Sequence, residues 1–169
     1  MKIATLSFEL KGEEMALNSS RRIEIILNTL DSIKPELLIT SGYSLQNNKD
    51  LEYLRSELKK KGNRSWVLVE VKNDELIIDK GHPLKNKYPQ LNTGLHNLYV
   101  INNNNEILNL GPQYFAQSNE VTGKKNKYRI SEFESIIENR QFFINNKKVL
   151  VLCCGEINSI QGRDNITYI

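Results

Sequence analysis

Short apolar runs alternate with stretches of helical spacing over residues 1–72, and that alternation restricts the fold more than any other feature of the chain. Residues 2–8 are apolar and β-rich and read as a first strand. Residues 13–33 then switch period. Ile23, Ile26, Leu27, Leu30 and Ile33 fall three and four apart, so they share one face of a helix. Pro35 ends that helix, because proline disfavours helical geometry in the residue before it. Glu36 to Thr40 is the pattern of a strand buried on both faces. Residues 48–61 are helical again, with Leu51, Leu54 and Leu58 as the apolar stripe. Lys59 to Lys61 and then Gly62-Asn63 form the stop signal. Trp66 to Val71 is a further strand. A β-α-β-α-β order predicts right-handed crossovers onto a shared sheet, hence an α/β fold.

The rest of the chain reads mostly as hairpins. Lys72-Asn73-Asp74 is a turn, and Glu75 to Ile78 is expected to return as the partner of the strand before it. Residues 80–94 are irregular. Leu98 to Ile101 and Glu106 to Leu110 form a second hairpin around Asn102 to Asn105, a run read as compositional bias rather than chemistry. Residues 116–128 read as a surface loop. Ser131 caps a short helix through Asn139, with Glu134 at the capping-box position. Phe142 to Ile144 and Val149 to Cys153 are strands around an Asn-Asn-Lys-Lys turn, and Ile166 to Ile169 reads as a last strand. No repeat and no clear linker breaks the chain, so 1–169 is expected to be a single layered α/β domain.

Charge and composition exclude several functions. There are 23 Lys+Arg against 20 Asp+Glu, a net charge of +3, too small for a nucleic-acid footprint. No run of 18 apolar residues occurs, so no membrane span is expected. The N-terminus lacks the apolar core of a signal peptide. The cysteines, Cys153 and Cys154, are adjacent, so no disulfide framework exists and a reducing cytoplasm is expected.

The strongest chemical feature is Val149-Leu150-Val151-Leu152-Cys153-Cys154-Gly155-Glu156, an apolar strand running into thiols, a glycine and an acid. In α/β sheets, reactive groups sit at the carboxyl ends of strands. A cysteine there can attack a carbonyl or nitrile carbon once its proton is removed. The bland alternative is a pair of small buried hydrophobes. Leu152-Cys153-Cys154-Gly155-Glu156 resembles the nucleophile signature of the nitrilase, or carbon–nitrogen hydrolase, superfamily: an apolar strand ending in Cys, one residue, then Glu or Asp. By that register Cys154 matches the nucleophile and Glu156 the following acid. Residues 1–44, through Pro35-Glu36-Leu37-Leu38-Ile39-Thr40, resemble the family's opening. Asn92-Thr93-Gly94 through Glu106-Ile107-Leu108 resembles its hairpin. The resemblance implies a layered α-β-β-α sandwich, incomplete at the C-terminus because few residues follow the nucleophile. It implies hydrolysis of a small amide or nitrile without metal or organic cofactor, and a homo-oligomer.

The family's catalysis also needs a Glu as general base and a Lys to stabilise the tetrahedral intermediate. Their positions fall at about Gly42 and Gln113, with no acid and no amine there; a slipped register brings in Lys124 or Lys125. Loss of one oxyanion donor alone costs about 10²–10³ in rate. A non-catalytic binding or scaffold module on the same fold is therefore the alternative. A third reading takes Glu70 and Lys72, two apart on one strand, as the E-x-K element of PD-(D/E)xK nucleases, with Glu36 or Asp50 as the upstream acid on Mg²⁺. His82 and His96 have no ligand-type neighbours, and Lys124 to Arg129 reads as a solvated basic loop.

Overall fold

The computed structural model describes residues 1–8, 19–40, 44–72, 96–113, 133–135, 137–152 and 156. The elements in chain order are β1 (Ile3–Leu6), α1 (Ser19–Ile33), β2 (Leu37–Thr40), α2 (Asn48–Lys60), β3 (Trp66–Lys72), β4 (His96–Ile101), β5 (Ile107–Pro112), a 3-10 helix (Ile137–Arg140), β6 (Gln141–Ile144) and β7 (Lys147–Leu150). The expected helix start at 13–18, the strands at 75–78 and 166–169, the loop at 116–128, and Cys153 and Cys154 lie outside the described residues.

β1 to β5 form one mixed sheet in chain order. β1, β2 and β3 run parallel, as the alternating pattern requires. β4 pairs antiparallel with β3, from Val67↔Ile101 to Lys72↔His96. β5 turns back antiparallel on β4 and so runs in the same direction as β1 to β3. The turn between them is built by the first residue of the Asn run. Asn102 is buried, its Oδ1 accepts the amides of Asn104 and Glu106, and its Nδ2 donates to Glu106. Asn105 takes a positive φ of 61°, a conformation asparagine tolerates.

Side-chain alternation divides the sheet into two faces. Leu38, Val67, Val69, Val71 and Ile101 pack with Ile23, Ile26 and Leu30 of α1 and Leu51, Leu54 and Leu58 of α2. Leu37, Leu68, Leu98, Val100 and Leu110 point the other way and meet Phe142, Ile144 and Val151. β6 and β7 form a separate two-stranded sheet laid on that second face. Phe142 stacks on Trp66 at 5.1 Å between centroids and 6° between planes. The described residues are thus layered helices, five-stranded sheet, hairpin.

Helix ends follow local chemistry. Asn47 caps α2 by accepting the Asp50 amide at 3.0 Å, and Asp50 reaches back to the Gln46 amide at 3.0 Å. Gly62 takes φ 63° just past α2, where the Gly62 and Asn63 amides close onto the Lys59 and Leu58 carbonyls. Of the helix expected from Ser131 through Asn139, the described residues 133–135 are α-helical and 137–140 form the 3-10 helix. β7 is also less buried than its apolar run suggested, with Leu150 41% exposed. It pairs with β6 over one face of the main sheet, so it has an inner side only. No helix among the described residues is long and apolar enough to cross a membrane.

Candidate functional site

Strand direction defines one edge of the molecule. The carboxyl ends of β1, β2, β3 and β5 all point to it. The hairpin supplies a second traverse. Its turn residue Asn145 donates to Glu36, just before β2, at the opposite, amino edge. β7 therefore runs from the Glu36 end back toward the carboxyl edge, and the chain beyond it is delivered there.

At that edge sits Arg140, fully buried at the end of the 3-10 helix. Its Nη2 donates to the carbonyl of Pro112, the last residue of β5. The same nitrogen lies 2.9 Å from Oε1 of Glu156, and both side chains are 0% exposed. Its guanidinium carbon is 5.9 Å from the centroid of the buried Phe133 ring. Its carbonyl accepts the Val151 amide at 2.9 Å. Its Nε and Nη1 are buried with no hydrogen-bond partner among the described residues. A charged pair this deep costs desolvation that apolar residues would not, so stability alone is a weak reason for it.

The structure brings together some of the residues singled out by sequence. Gln113, at the expected lysine position, directly follows the Pro112 carbonyl held by Arg140. Glu156 is joined to the same arginine. The end of β2 reaches the same edge through Thr40, whose hydroxyl is 2.8 Å from the Ser44 hydroxyl and 3.0 Å from the Leu68 carbonyl. Ser44 Oγ in turn accepts the Glu70 amide at 2.9 Å. Gly42, Cys154, Lys124 and Lys125 lie outside the described residues.

Other candidates are kept apart. Glu36 is at the amino edge, where it accepts the Lys2 amide at 2.5 Å and lies 3.4 Å from the N-terminal amine. Asp50 is in the first turn of α2, on the helical face, and Arg22 lies within its electrostatic reach. Burial pushes the Arg22 guanidinium below its usual range, with Asp50 opposing. Glu70 follows the alternation of Trp66 and Leu68 and so belongs to the hairpin face. The three acids of the nuclease reading therefore occupy an amino edge, a helical face and a hairpin face. Among the described residues no group of three or more His, Cys, Asp or Glu is placed to hold a metal ion. Arg140 escaped the sequence reading, because one arginine ahead of an apolar run looks like any solvated residue.

No protein-family model, no curated protein and no solved structure matches the chain.

Proposed function

We propose that the chain carries a carbon–nitrogen hydrolase-like domain of the nitrilase-type α-β-β-α layout, acting on small amides or nitriles through Cys154. One observation carries this reading. Arg140 binds the end of β5 and Glu156 at once, so the residue just ahead of the expected lysine position and the acid two residues after Cys154 in sequence lie within one side chain of each other. The helix, sheet, hairpin layering is what the first three layers of such a sandwich require. In the reaction, the Cys154 sulfur adds to the amide carbon and the nitrogen leaves, protonated, as ammonia or an amine. Water then cleaves the thioester, releasing a carboxylic acid and restoring the thiol.

A second reading, a non-catalytic binding or scaffold module, is favoured by the strand ends themselves. Gln113 stands where an amine is wanted, and at the end of β2, ahead of the expected base position at about Gly42, the Thr40 hydroxyl is already engaged. The experiment is a screen of short aliphatic amides and nitriles with wild type and Cys154→Ala, following ammonia release. Turnover in wild type and none in Cys154→Ala supports the hydrolase. Binding by calorimetry without ammonia release from either protein establishes the second reading.

A further inference from the structure

The connections at the amino edge all lie among the described residues, and together they gather charge. Lys34 follows α1, and Lys59, Lys60 and Lys61 close α2, so the helical layer presents four cations there. Lys2 and Arg64 stand just ahead of β1 and β3, and Lys147 and Lys148 open β7 after the hairpin turn. All eight side chains are exposed. The carboxylates of the same edge are Asp31, Glu36, Glu57 and Glu106. Eight cations against four anions leave this edge an excess of four, where the whole chain carries only +3. The modest net charge thus conceals a one-sided distribution.

Two of the cations are matched, Lys60 with Glu57 at 2.6 Å and Lys61 with Asp31 at 2.5 Å. Glu36 is taken up by the Lys2 amide and Asn145. Lys34, Lys59, Arg64, Lys147 and Lys148 make no ion pair among the described residues. Lysines that end a helix are ordinary complements of its dipole. That accounts for Lys59 to Lys61, but not for Arg64, Lys147 and Lys148, which bring charge from the sheet and the hairpin to the same edge. Apolar groups stand among these cations. Ile33 is 40% exposed at the end of α1, Ile3 49% at the start of β1, and Phe143 62% on the hairpin, directly across from Lys148. Lys2 links the first two: it precedes Ile3, and its Nζ donates to the Ile33 carbonyl. Exposed apolar side chains set among amines suit a lipid headgroup boundary, where the apolar part enters and the amines meet anionic headgroups. A nucleic acid would use the amines, but Ile3 and Ile33 offer no ring on which a base could stack.

We propose that the amino edge is a docking surface for an anionic lipid bilayer. The unmatched amines supply the attraction, and Ile3, Ile33 and Phe143 enter the headgroup boundary. Binding is peripheral, since no helix among the described residues is long and apolar enough to cross a membrane. It leaves the carboxyl edge, with Arg140 and Glu156, turned away from the lipid. Nothing in it depends on a reaction at Cys154.

The test is flotation of the full chain with vesicles of phosphatidylcholine alone and of phosphatidylcholine mixed with phosphatidylserine. Wild type should float with the mixed vesicles at low salt, not with the neutral ones, and should be released at about 0.5 M salt, where screening shortens the reach of each charge. Each amine near such a surface contributes about fivefold, so Lys147→Ala with Lys148→Ala should weaken partitioning about 10–30-fold. Arg21→Ala with Lys49→Ala removes the same charge from the first turns of α1 and α2, at the opposite edge, and should change it less than about twofold. Phe143→Ser should weaken it severalfold. All of these replace exposed side chains, so the fold is kept, as circular dichroism checks. Equal loss in the two double variants would show a response to total charge alone and overturns the proposal. Undiminished partitioning of Phe143→Ser overturns it too, as does equal flotation with neutral vesicles. Failure to float with either vesicle also overturns it. If the chain then binds a poly-uridine RNA by fluorescence anisotropy and the Lys147, Lys148 double variant does not, the same edge is a nucleic-acid surface instead.

Discussion

Glu36 joins three segments at the amino edge: the start of the chain, the entry to β2 and the β6–β7 turn. The hydrogen bond from the Lys2 amide, then the nearby N-terminal amine and Asn145, hold its carboxyl below the usual carboxylate value of 4.5. A depressed folded-state value means that the stabilisation is present above the unfolded-state pKa and is lost as pH falls through the folded one. Glu36→Gln should therefore be less stable than wild type at pH 7, and the difference should shrink below about pH 4.5. Urea unfolding at a series of pH values measures it, and a gap that widens toward acid would contradict it. Asn102 shows the same economy of contacts in a neutral side chain. Its Oδ1 serves two amides inside the β4–β5 turn. Asn102→Ala should cost about 1–3 kcal/mol, because two part-buried amides lose their acceptor. Asn103→Ala, at an exposed position, should stay within about 0.5 kcal/mol in the same denaturation assay.

At the scale of elements, α2 is held by its ends as much as by its stripe. The Asn47 cap satisfies an amide that the first turn cannot, so Asn47→Ala should lower stability by about 1 kcal/mol. Asn47→Asp should recover most of it, as seen in thermal unfolding. These parts were legible in the sequence: the three-and-four spacing gave both helices, Pro35 and Gly62 their ends, and the short apolar runs gave β1, β2 and β3. The hairpin pairings of β4 with β5 and of β6 with β7 were legible too; the antiparallel partner of β3 was not. The expected return at 75–78 followed from nearness in sequence, whereas β3 is paired by β4, on the far side of residues 73–95. Pairing is decided by which apolar faces complete the sheet, and no local spacing encodes that. Arg140 was illegible for the same reason. Its meaning lies in Pro112, Val151 and Glu156, which only the fold assembles.

Across the whole molecule, the sheet separates two apolar clusters, one under the helices and one under the hairpin. They share strands but no side chains, so the hairpin layer has its own attachment: the Phe142–Trp66 stack, the Asn145–Glu36 contact at one edge and Arg140 at the other. A layer fastened in this way can open without the helical face following, because local openings need only break their own contacts. Phe142 is the largest apolar group the hairpin contributes to the shared core, and Phe142→Ala should cost about 3–5 kcal/mol of that attachment. Native-state hydrogen exchange distinguishes the two layers. In Phe142→Ala the amides of β6 and β7 should exchange much faster than in wild type. Those of α1, over Ile23, Ile26 and Leu30, should change far less. Leu54→Ala, a cavity of about 2–5 kcal/mol in the helical cluster, should show the reverse asymmetry. If either substitution accelerated both layers equally, the sheet would be transmitting the loss and the molecule would open as one unit. Val151, just beyond β7, would then be as firmly held as the helices, and the tie from its amide to the Arg140 carbonyl would be redundant with the core. Unequal acceleration leaves that tie as what keeps the carboxyl edge assembled while the hairpin layer moves.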